Sequence, residues 1–160
     1  MALVGVALAP LAFACSVAGA GTHLHRETSD MTSPRVVNAP DLGRLPAFSH
    51  AVHAGDFLFV SGTLGTRAGS FELVDGGVGA QTRQTLENIG RILAAAGAGF
   101  DDLVNLKVFL VDMGSFQEMN EAYLSFFPKD PPSRITVGCS ELALDAAVEI
   151  EATAYLARGD

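Results

Sequence analysis

Short apolar runs with the two-residue period of β-strands recur along this chain. They are rich in β-branched and aromatic side chains and predict strands at residues 56–62, 103–111, 133–137 and 147–155. Phe57 and Phe59 form one face of the first strand, and aliphatic side chains form the other. Because both faces of this strand are apolar, we expect both of them to be covered.

Two segments between the predicted strands have the period of helices. In residues 80–96 one apolar stripe is made of Leu86, Ile89, Leu93 and Ala96. Gly97 is placed to end that helix. In residues 115–127, Ser115 and Glu118 have the spacing of a capping box, in which a hydroxyl and a carboxylate reciprocally satisfy free backbone amides.

The order of these elements predicts an α+β fold, a sheet with two helices on one face. We assign the apolar set that begins at Val148 to the helix face, and Glu149 and Glu151 to the opposite face. By the same reasoning, Arg134 and Thr136 are expected on the helix-free face with Glu149. A helix-free face this apolar is expected to be covered by another copy of the chain.

Length and charge narrow the class of protein. The chain has 160 residues, enough for one ordinary domain, and a formal net charge of −8. An acidic chain without a basic stripe is a poor ligand for nucleic acid or for an anionic membrane surface. The 2 cysteines do not make a disulfide framework, the histidines lack the spacing of a metal site, and no glycine-rich cofactor loop follows a strand.

Residues 1–33 differ from the rest of the chain. An apolar run fills the first part, without a preceding Lys or Arg and with Pro10 inside it. The segment is interpreted as a signal peptide, as an upstream extension if Met31 is the true start, or as a disordered tail. We therefore expect one folded domain at residues 34–160 and a cytoplasmic protein, or an exported one if residues 1–20 act as a signal peptide.

Charged side chains on strands this apolar are costly unless they are paired or used. Arg134 could bind a small organic acid through two parallel hydrogen bonds, or form a structural ion pair with Glu149 or Glu151. A carboxylate at a partly apolar subunit boundary could act as a general base or acid. Glu149 and Glu151 share a face, so spacing alone does not choose between them.

Three further residues are weaker candidates. Ser61 and Gly62 end a predicted strand, where they could offer a hydroxyl and a close backbone approach to a ligand, or simply terminate the strand. Asn120 is a poor helix former inside a predicted helix, so it could have a specific partner or face solvent.

Several motifs between residues 36 and 156 occur together in one known family. They are Ala51-Val52-x-Ala54-Gly55-Asp56, Phe59-Val60-Ser61-Gly62, Gln81-Thr82-Arg83-Gln84-Thr85-Leu86-Glu87-Asn88, Asn120-Glu121-x-Tyr123-x-x-Phe126-Phe127-Pro128, Pro132-Ser133-Arg134 and Val148-Glu149-Ile150-Glu151-Ala152. By these motifs the chain resembles the RidA/YjgF family of imine deaminases. The resemblance implies a chorismate-mutase-like homotrimer, whose sheets line a central barrel and whose three sites lie between subunits.

The resemblance also implies a reaction and its residues. Family members hydrolyse reactive 2-imino acids or their enamine tautomers, of the 2-iminobutanoate and 2-iminopropanoate type, to 2-oxo acids and ammonia without a cofactor. Arg134 matches the arginine that grips the substrate carboxylate, and Glu149 matches the glutamate that orients the attacking water. Ser61, Gly62 and Asn120 match pocket positions.

The chain departs from the family pattern at the pocket wall. Phe48 stands where a tyrosine is usual, Thr136 where many members have cysteine, and Ile135 where a smaller residue follows the arginine. These changes bear on substrate range more than on reaction class. The alternative is a non-catalytic trimer that binds small carboxylates or a partner protein, and a weaker third reading is an endoribonuclease, which the acidic charge disfavours.

Overall fold

The structure, a computed structural model, describes residues 34–156. The predicted extension at residues 1–33 lies outside the described residues, so its interpretation stays a prediction. The helices and strands are β1 (Arg35–Val37), β2 (Ala51–Ala54), β3 (Phe57–Leu64), α1 (Gly77–Ala95), β4 (Leu103–Leu110), α2 (Phe116–Leu124), β5 (Ser133–Gly138) and β6 (Val148–Tyr155). Among the helices of this region, none has the length and apolar character needed to cross a membrane.

The strands in residues 34–156 form one mixed sheet of 6 strands in the order β1-β2-β3-β6-β4-β5. Neighbouring strands are antiparallel except β4 and β5, which run parallel. The parallel pair needs a crossover connection, and α2 provides it. The prediction of an α+β sheet with its two helices on one face is confirmed.

The core lies between the sheet and the helices. The alternating residues Val148, Ile150, Ala152 and Ala154 of β6 are buried, as predicted. The α1 stripe meets them through Leu86, Ile89 and Leu93, which are fully buried. The buried side chains of β6 and of α1 thus pack against each other in one apolar layer. This arrangement buries most of the apolar surface of both elements.

The opposite face of the sheet carries large apolar side chains that are exposed to solvent in a single chain. Phe59 is 49% exposed and Ile135 is 53% exposed. The Phe57 ring lies 5.3 Å from the Tyr155 ring and 6.2 Å from the Phe59 ring, so these aromatics form one continuous patch. Exposed apolar patches of this kind mark contact surfaces.

Helix α1 begins at Gly77, earlier than the predicted residue 80. Its first turn lacks a side-chain cap from its own N-cap residue. Instead the Glu118 carboxylate of α2 accepts a 3.0 Å hydrogen bond from the Gly79 amide. The helix ends as predicted, because Gly97 has a positive φ and the amides of Gly97 and Ala98 donate to carbonyls of the last turn.

The predicted capping box at α2 is wrong. Ser115 is the N-cap residue, but its hydroxyl donates to the Asp112 carbonyl at 2.6 Å and makes no cap hydrogen bond. Glu118, the second member of the predicted box, caps α1 rather than its own helix. Ser115 and Glu118 have the spacing of a capping box, but the Glu118 carboxylate instead binds a free amide in the first turn of α1.

Candidate active site between two sheet faces

The residues predicted to act together lie on opposite faces of the sheet in one chain. Arg134 pairs in register with Leu106, which is fully buried under the helices, whereas Glu149 pairs with Phe109 on the helix-free face. Thr136 lies on the helix-covered face with Arg134. The prediction that all three project from the helix-free face is therefore wrong for Arg134 and Thr136.

The error has a physical reason in the edge position of β5. Alternation tells which residues of a strand share a face, so the placement of Arg134 and Thr136 on the helix-free face implied that Ile135 faces the helices. In the structure Ile135 is exposed on the helix-free face, and the charged side chain turns toward α2. An edge strand beside a helix that offers polar and aromatic groups can place an arginine there.

The side chain of Arg134 is held by α2. Its guanidinium donates a 2.9 Å hydrogen bond to the Asn120 side-chain oxygen. The guanidinium carbon lies 4.4 Å from the centre of the Tyr123 ring and 5.7 Å from that of Phe116. Stacking orients the planar group and leaves its remaining N–H donors for a ligand. This contact gives Asn120 a specific partner inside its helix.

Two buried hydroxyls lie on the same face as Arg134. The side-chain oxygens of Tyr123 and Thr136 have no hydrogen-bond partner among residues 34–156. Burial raises the pKa of the Tyr123 phenol, and the charge of Arg134 opposes that change. Tyr123 was not a candidate site residue in the sequence, and its contact with Arg134 identifies it as part of a polar group.

A β-bulge builds the Glu149 side of the site. Between Val60 and Thr63 strand β3 contains one more residue than β6, so Ser61 and Gly62 interrupt the regular ladder. The strand does not end at Gly62, as had been predicted, but continues to Leu64. A glycine inside a strand is the signal that could have revealed this bulge.

Gly62 and Glu149 are in direct contact. A β-carbon at Gly62 would overlap the Glu149 carboxylate, so this approach requires a glycine. The hydroxyl of Ser61 donates to the Ser49 carbonyl at 2.7 Å, which ties the bulge to the segment that carries Phe48. Phe48, Ser61 and Gly62 line one cavity.

The two neighbouring glutamates of β6 have different surroundings. Glu151 forms an ion pair with Lys107 at 2.9 Å. Glu149 has no ion-pair partner among the described residues. Burial, with the charge of Glu151 as a smaller cause, raises the pKa of the Glu149 carboxyl. A raised pKa suits a carboxylate that must accept a proton near neutral pH.

His50 was not a candidate in the sequence, yet it shapes the cavity wall. Its Nδ1 accepts from the Ala39 amide at 3.1 Å, so the ring proton is on Nε2, which donates to the Gly43 carbonyl at 2.9 Å. The histidine therefore fixes the loop that precedes β2. Elsewhere in the described part of the chain, no three His, Cys, Asp or Glu side chains gather as a metal site would require.

A family model described as Endoribonuclease L-PSP matches residues 39–156 of this chain. The chain belongs to the RidA/YjgF family. A RutC family protein of Pyrococcus horikoshii is 44% identical over 108 residues, which cover 68% of this chain and 86% of the relative. A human protein named 2-iminobutanoate/2-iminopropanoate deaminase is 36% identical over 112 residues, which cover 70% of this chain and 82% of the relative.

Solved structures of RidA/YjgF proteins have the same fold. The crystal structure of RidA from an Antarctic Psychrobacter superposes with a TM-score of 0.72 at 31% identity, covering 76% of this chain and 99% of that one. The structure of Escherichia coli TdcF with bound serine superposes with a TM-score of 0.70 at 28% identity, covering 77% of this chain and 99% of that one. These matches support imine deaminase activity at the level of the family.

Proposed function

We propose that this RidA family protein hydrolyses 2-imino acids of the 2-iminobutanoate and 2-iminopropanoate type to 2-oxo acids and ammonia. The observation that carries the proposal is the pair of prepared charged groups. Arg134 is stacked and hydrogen-bonded in place by α2, and Glu149 is a carboxylate of raised pKa without a structural ion-pair partner among the described residues. The first group fits a substrate carboxylate, and the second fits a base for water.

A complete site then requires two chains. Arg134 and Glu149 lie on opposite faces of the sheet in one chain. A neighbouring copy that covers the aromatic patch at Phe57 and Phe59 would bring the Glu149 side of one chain toward the Arg134 side of another. We propose a homotrimer with sites between subunits, the assembly that the family resemblance implies, because it hides this patch and leaves no unpaired interface.

In the proposed mechanism, Arg134 binds the substrate carboxylate and Glu149 removes a proton from water as the oxygen attacks the imine carbon. The proton taken from water is passed to the imine nitrogen, which gives an amino alcohol. The amino alcohol then collapses to the 2-oxo acid as its hydroxyl proton is transferred to the nitrogen and the C–N bond breaks, releasing ammonia. Because such imines also hydrolyse in water without help, orientation of substrate and water is sufficient. No cofactor is required for these steps.

The names of relatives agree with this reaction class. The human relative is named as a deaminase of 2-iminobutanoate and 2-iminopropanoate. The TdcF structure holds serine, a small molecule with a carboxylate. Glu149 and the Gly62 contact belong to this chain's own geometry and supply the water-activating half.

The test couples an amino-acid oxidase or a dehydratase to this protein and follows trapping of the imine by semicarbazide. Wild-type protein is expected to lower semicarbazone formation, and Arg134→Ala and Glu149→Gln are expected to lose the effect. Glu151→Gln is the matched control, because that carboxylate is paired with Lys107 and lies on the same face. Full activity in Arg134→Ala or Glu149→Gln would overturn the assignment.

Binding of small carboxylates at Arg134 without turnover of any imine would instead favour the non-catalytic alternative.

The compartment that we propose is the cytoplasm. N-terminal sequencing of the natural protein decides between this and export, because it identifies the first residue of the mature chain.

A further inference from the structure

We propose that the cavity beside Gly62 and Glu149 binds the substrate side chain and makes this protein selective for 2-imino acids with bulky apolar side chains. Within the proposed reaction class, the imines derived from leucine, methionine or phenylalanine are expected to be preferred over 2-iminopropanoate, which derives from alanine, and over imines with polar side chains. This inference rests on the proposed imine hydrolysis and specifies which imines the site takes.

The position of the cavity connects it to the chemistry. Gly62 lines the cavity and is also in contact with the Glu149 carboxylate. A substrate whose imine carbon lies beside Glu149 can therefore direct a side chain past the β3 bulge into this space. The carboxylate of the same substrate would point toward Arg134 of the neighbouring copy.

The size of the cavity exceeds what a small imine needs. Its volume is about 180 Å³. For comparison, an apolar cavity of about 150 Å³ in another protein accommodates benzene. The methyl group of 2-iminopropanoate would leave most of the space empty, whereas an isobutyl or benzyl group would fill it. Empty apolar space forfeits contacts that a larger side chain would make.

The walls of the cavity are largely apolar. The larger apolar side chains of the lining include those of Leu42, Leu45, Phe48, Phe71, Ile92 and Leu144. The phenylalanine at position 48 contributes a ring without a hydroxyl. Such a wall gains from burying hydrocarbon and offers nothing to a charged side chain.

Four of the polar side chains that line the cavity already have partners. His50 bonds to the backbone at Ala39 and Gly43, and the Asn88 amide donates to the carbonyls of Leu64 and Thr66. The hydroxyls of Ser61 and Thr63 donate to backbone carbonyls as well. A polar substrate side chain would thus lose water without gaining these groups as new donors.

Leu144 is a wall residue with an unusual backbone conformation. It has a positive φ of 60°, in a turn where Asp145 also has a positive φ of 57°. Positive φ values are costly for leucine, and strain of this kind accumulates at ligand sites. The side chain is 48% exposed in one chain, although it lines the cavity. A bound apolar side chain would cover it.

The experiment compares kcat/KM for imines generated in situ from alanine, leucine and asparagine. Leucine and asparagine have side chains of similar shape, so this pair separates polarity from size. We expect the leucine-derived imine to be favoured about tenfold or more over each of the other two, since pocket methylenes and unpaired polar groups give at least that discrimination.

Two variants change the cavity in different ways. Ala143→Phe places a ring in the space, and Leu144→Asn replaces an apolar wall by a residue that tolerates positive φ. Both are expected to lower the leucine-to-alanine ratio at least severalfold. Asp145→Asn is the matched control in the same turn, since residue 145 does not line the cavity, and the ratio should not change.

The outcomes separate the two proposals. Equal acceleration of all three imines, or an unchanged ratio in both cavity variants, would overturn the side-chain inference and leave imine hydrolysis standing. Acceleration of none of a wider panel of imines would overturn the proposed function itself. A leucine preference that both variants reduce supports the inference.

Discussion

At the scale of single residues, two glutamates that the sequence treats alike have different roles in the fold. Glu151 is paired with Lys107, and Glu149 contacts a glycine and has no ion-pair partner among the described residues. Spacing placed both on one face, but only the neighbouring strands determine their partners. The register of β4 places Lys107 beside Glu151, and the bulge in β3 places Gly62 beside Glu149.

The raised pKa of Glu149 predicts a pH-dependent effect on stability. A carboxyl whose pKa in the folded chain lies above its usual value of 4.5 binds its proton more tightly when folded. Its ionisation therefore lowers the free energy of unfolding as pH rises through the folded pKa. Glu149→Gln should raise the Tm at pH 7, and the gain should disappear as the pH falls below 4.5.

Measurement of the Tm of both proteins from about pH 4 to about pH 8 tests this effect, because this range spans the titration of a carboxyl group whose pKa is raised. Glu151→Gln serves as the control, because it loses its ion pair with Lys107 and is expected to gain no stability at pH 7. A Glu149→Gln variant less stable than wild type at pH 7 would contradict the interpretation of Glu149 as a half-buried carboxylate without an ion-pair partner among the described residues.

Asn120 and Tyr123 are predicted to act through the position of Arg134. Asn120→Ala removes a hydrogen bond to a charged group, worth about 1.5–3 kcal/mol, and should lower kcat/KM about tenfold or more, mainly by raising KM. Tyr123→Leu should act in the same direction by removing the stacked ring.

Tyr123→Phe is the control for this prediction, since it retains the ring and removes the hydroxyl. Steady-state kinetics on an imine generated in situ, together with circular dichroism to verify folding, provide the measurement. A normal KM in both Asn120→Ala and Tyr123→Leu would show that Arg134 does not depend on these contacts.

At the scale of elements, the two helices stabilise each other through one carboxylate. Glu118 of α2 accepts from the Gly79 amide in the first turn of α1. A β-carbon at residue 79 would lie 2.8 Å from that carboxylate oxygen, so the contact also explains the glycine there. A local capping motif had been predicted, and the structure uses the same residue for a contact between helices.

Glu118→Ala should lower the free energy of unfolding by about 1 kcal/mol, the typical value of a helix cap. Glu121→Ala is the matched control in the same helix. It loses only a hydrogen bond to Gln117 one turn away, worth a few tenths of a kcal/mol. Urea unfolding of both variants provides the comparison, and equal destabilisation would refute the capping role of Glu118.

At the scale of the whole molecule, the sheet separates the two halves of the proposed site. One face carries Arg134 with its α2 partners, and the other carries Glu149 with the β3 bulge. Each chain would therefore contribute one half to each of two different sites in a closed trimer. The large exposed aromatics of the helix-free face provide an apolar surface for such an assembly.

This arrangement predicts that two inactive variants restore activity when they are mixed. Trimers formed from equal amounts of Arg134→Ala and Glu149→Gln chains should regain about one quarter of wild-type activity, because random mixing pairs intact halves in that share of the sites. Co-expression with different affinity tags yields the mixed trimers. Arg134→Ala mixed with Arg134→Gln is the control and should stay inactive.

Verified mixed trimers without activity would contradict a site shared between chains. If the protein proved monomeric by light scattering at micromolar concentration, the assembly itself would be excluded, since Arg134 and Glu149 lie on opposite faces of one chain.

The sequence by itself determined the order of the two helices and of four of the 6 strands, the helix stripe of α1 and the buried face of β6, because these follow from periods along one segment. It did not predict the short strands β1 and β2. It also identified Arg134, Glu149 and Glu151 as candidates, since charges are rare on such strands, and the family resemblance chose Glu149. It misplaced Arg134, assigned Glu118 to the wrong helix and missed the β3 bulge.

The side of the sheet on which Arg134 lies, the partner of Glu118 and the bulge in β3 all depend on contacts with other segments of the chain. The tertiary structure decided that α2 attracts the arginine, that α1 uses the carboxylate of α2, and that an extra residue in β3 brings Gly62 against Glu149. Periodicity records which residues share a face, but the choice of face and partner is made by packing between segments far apart in the chain.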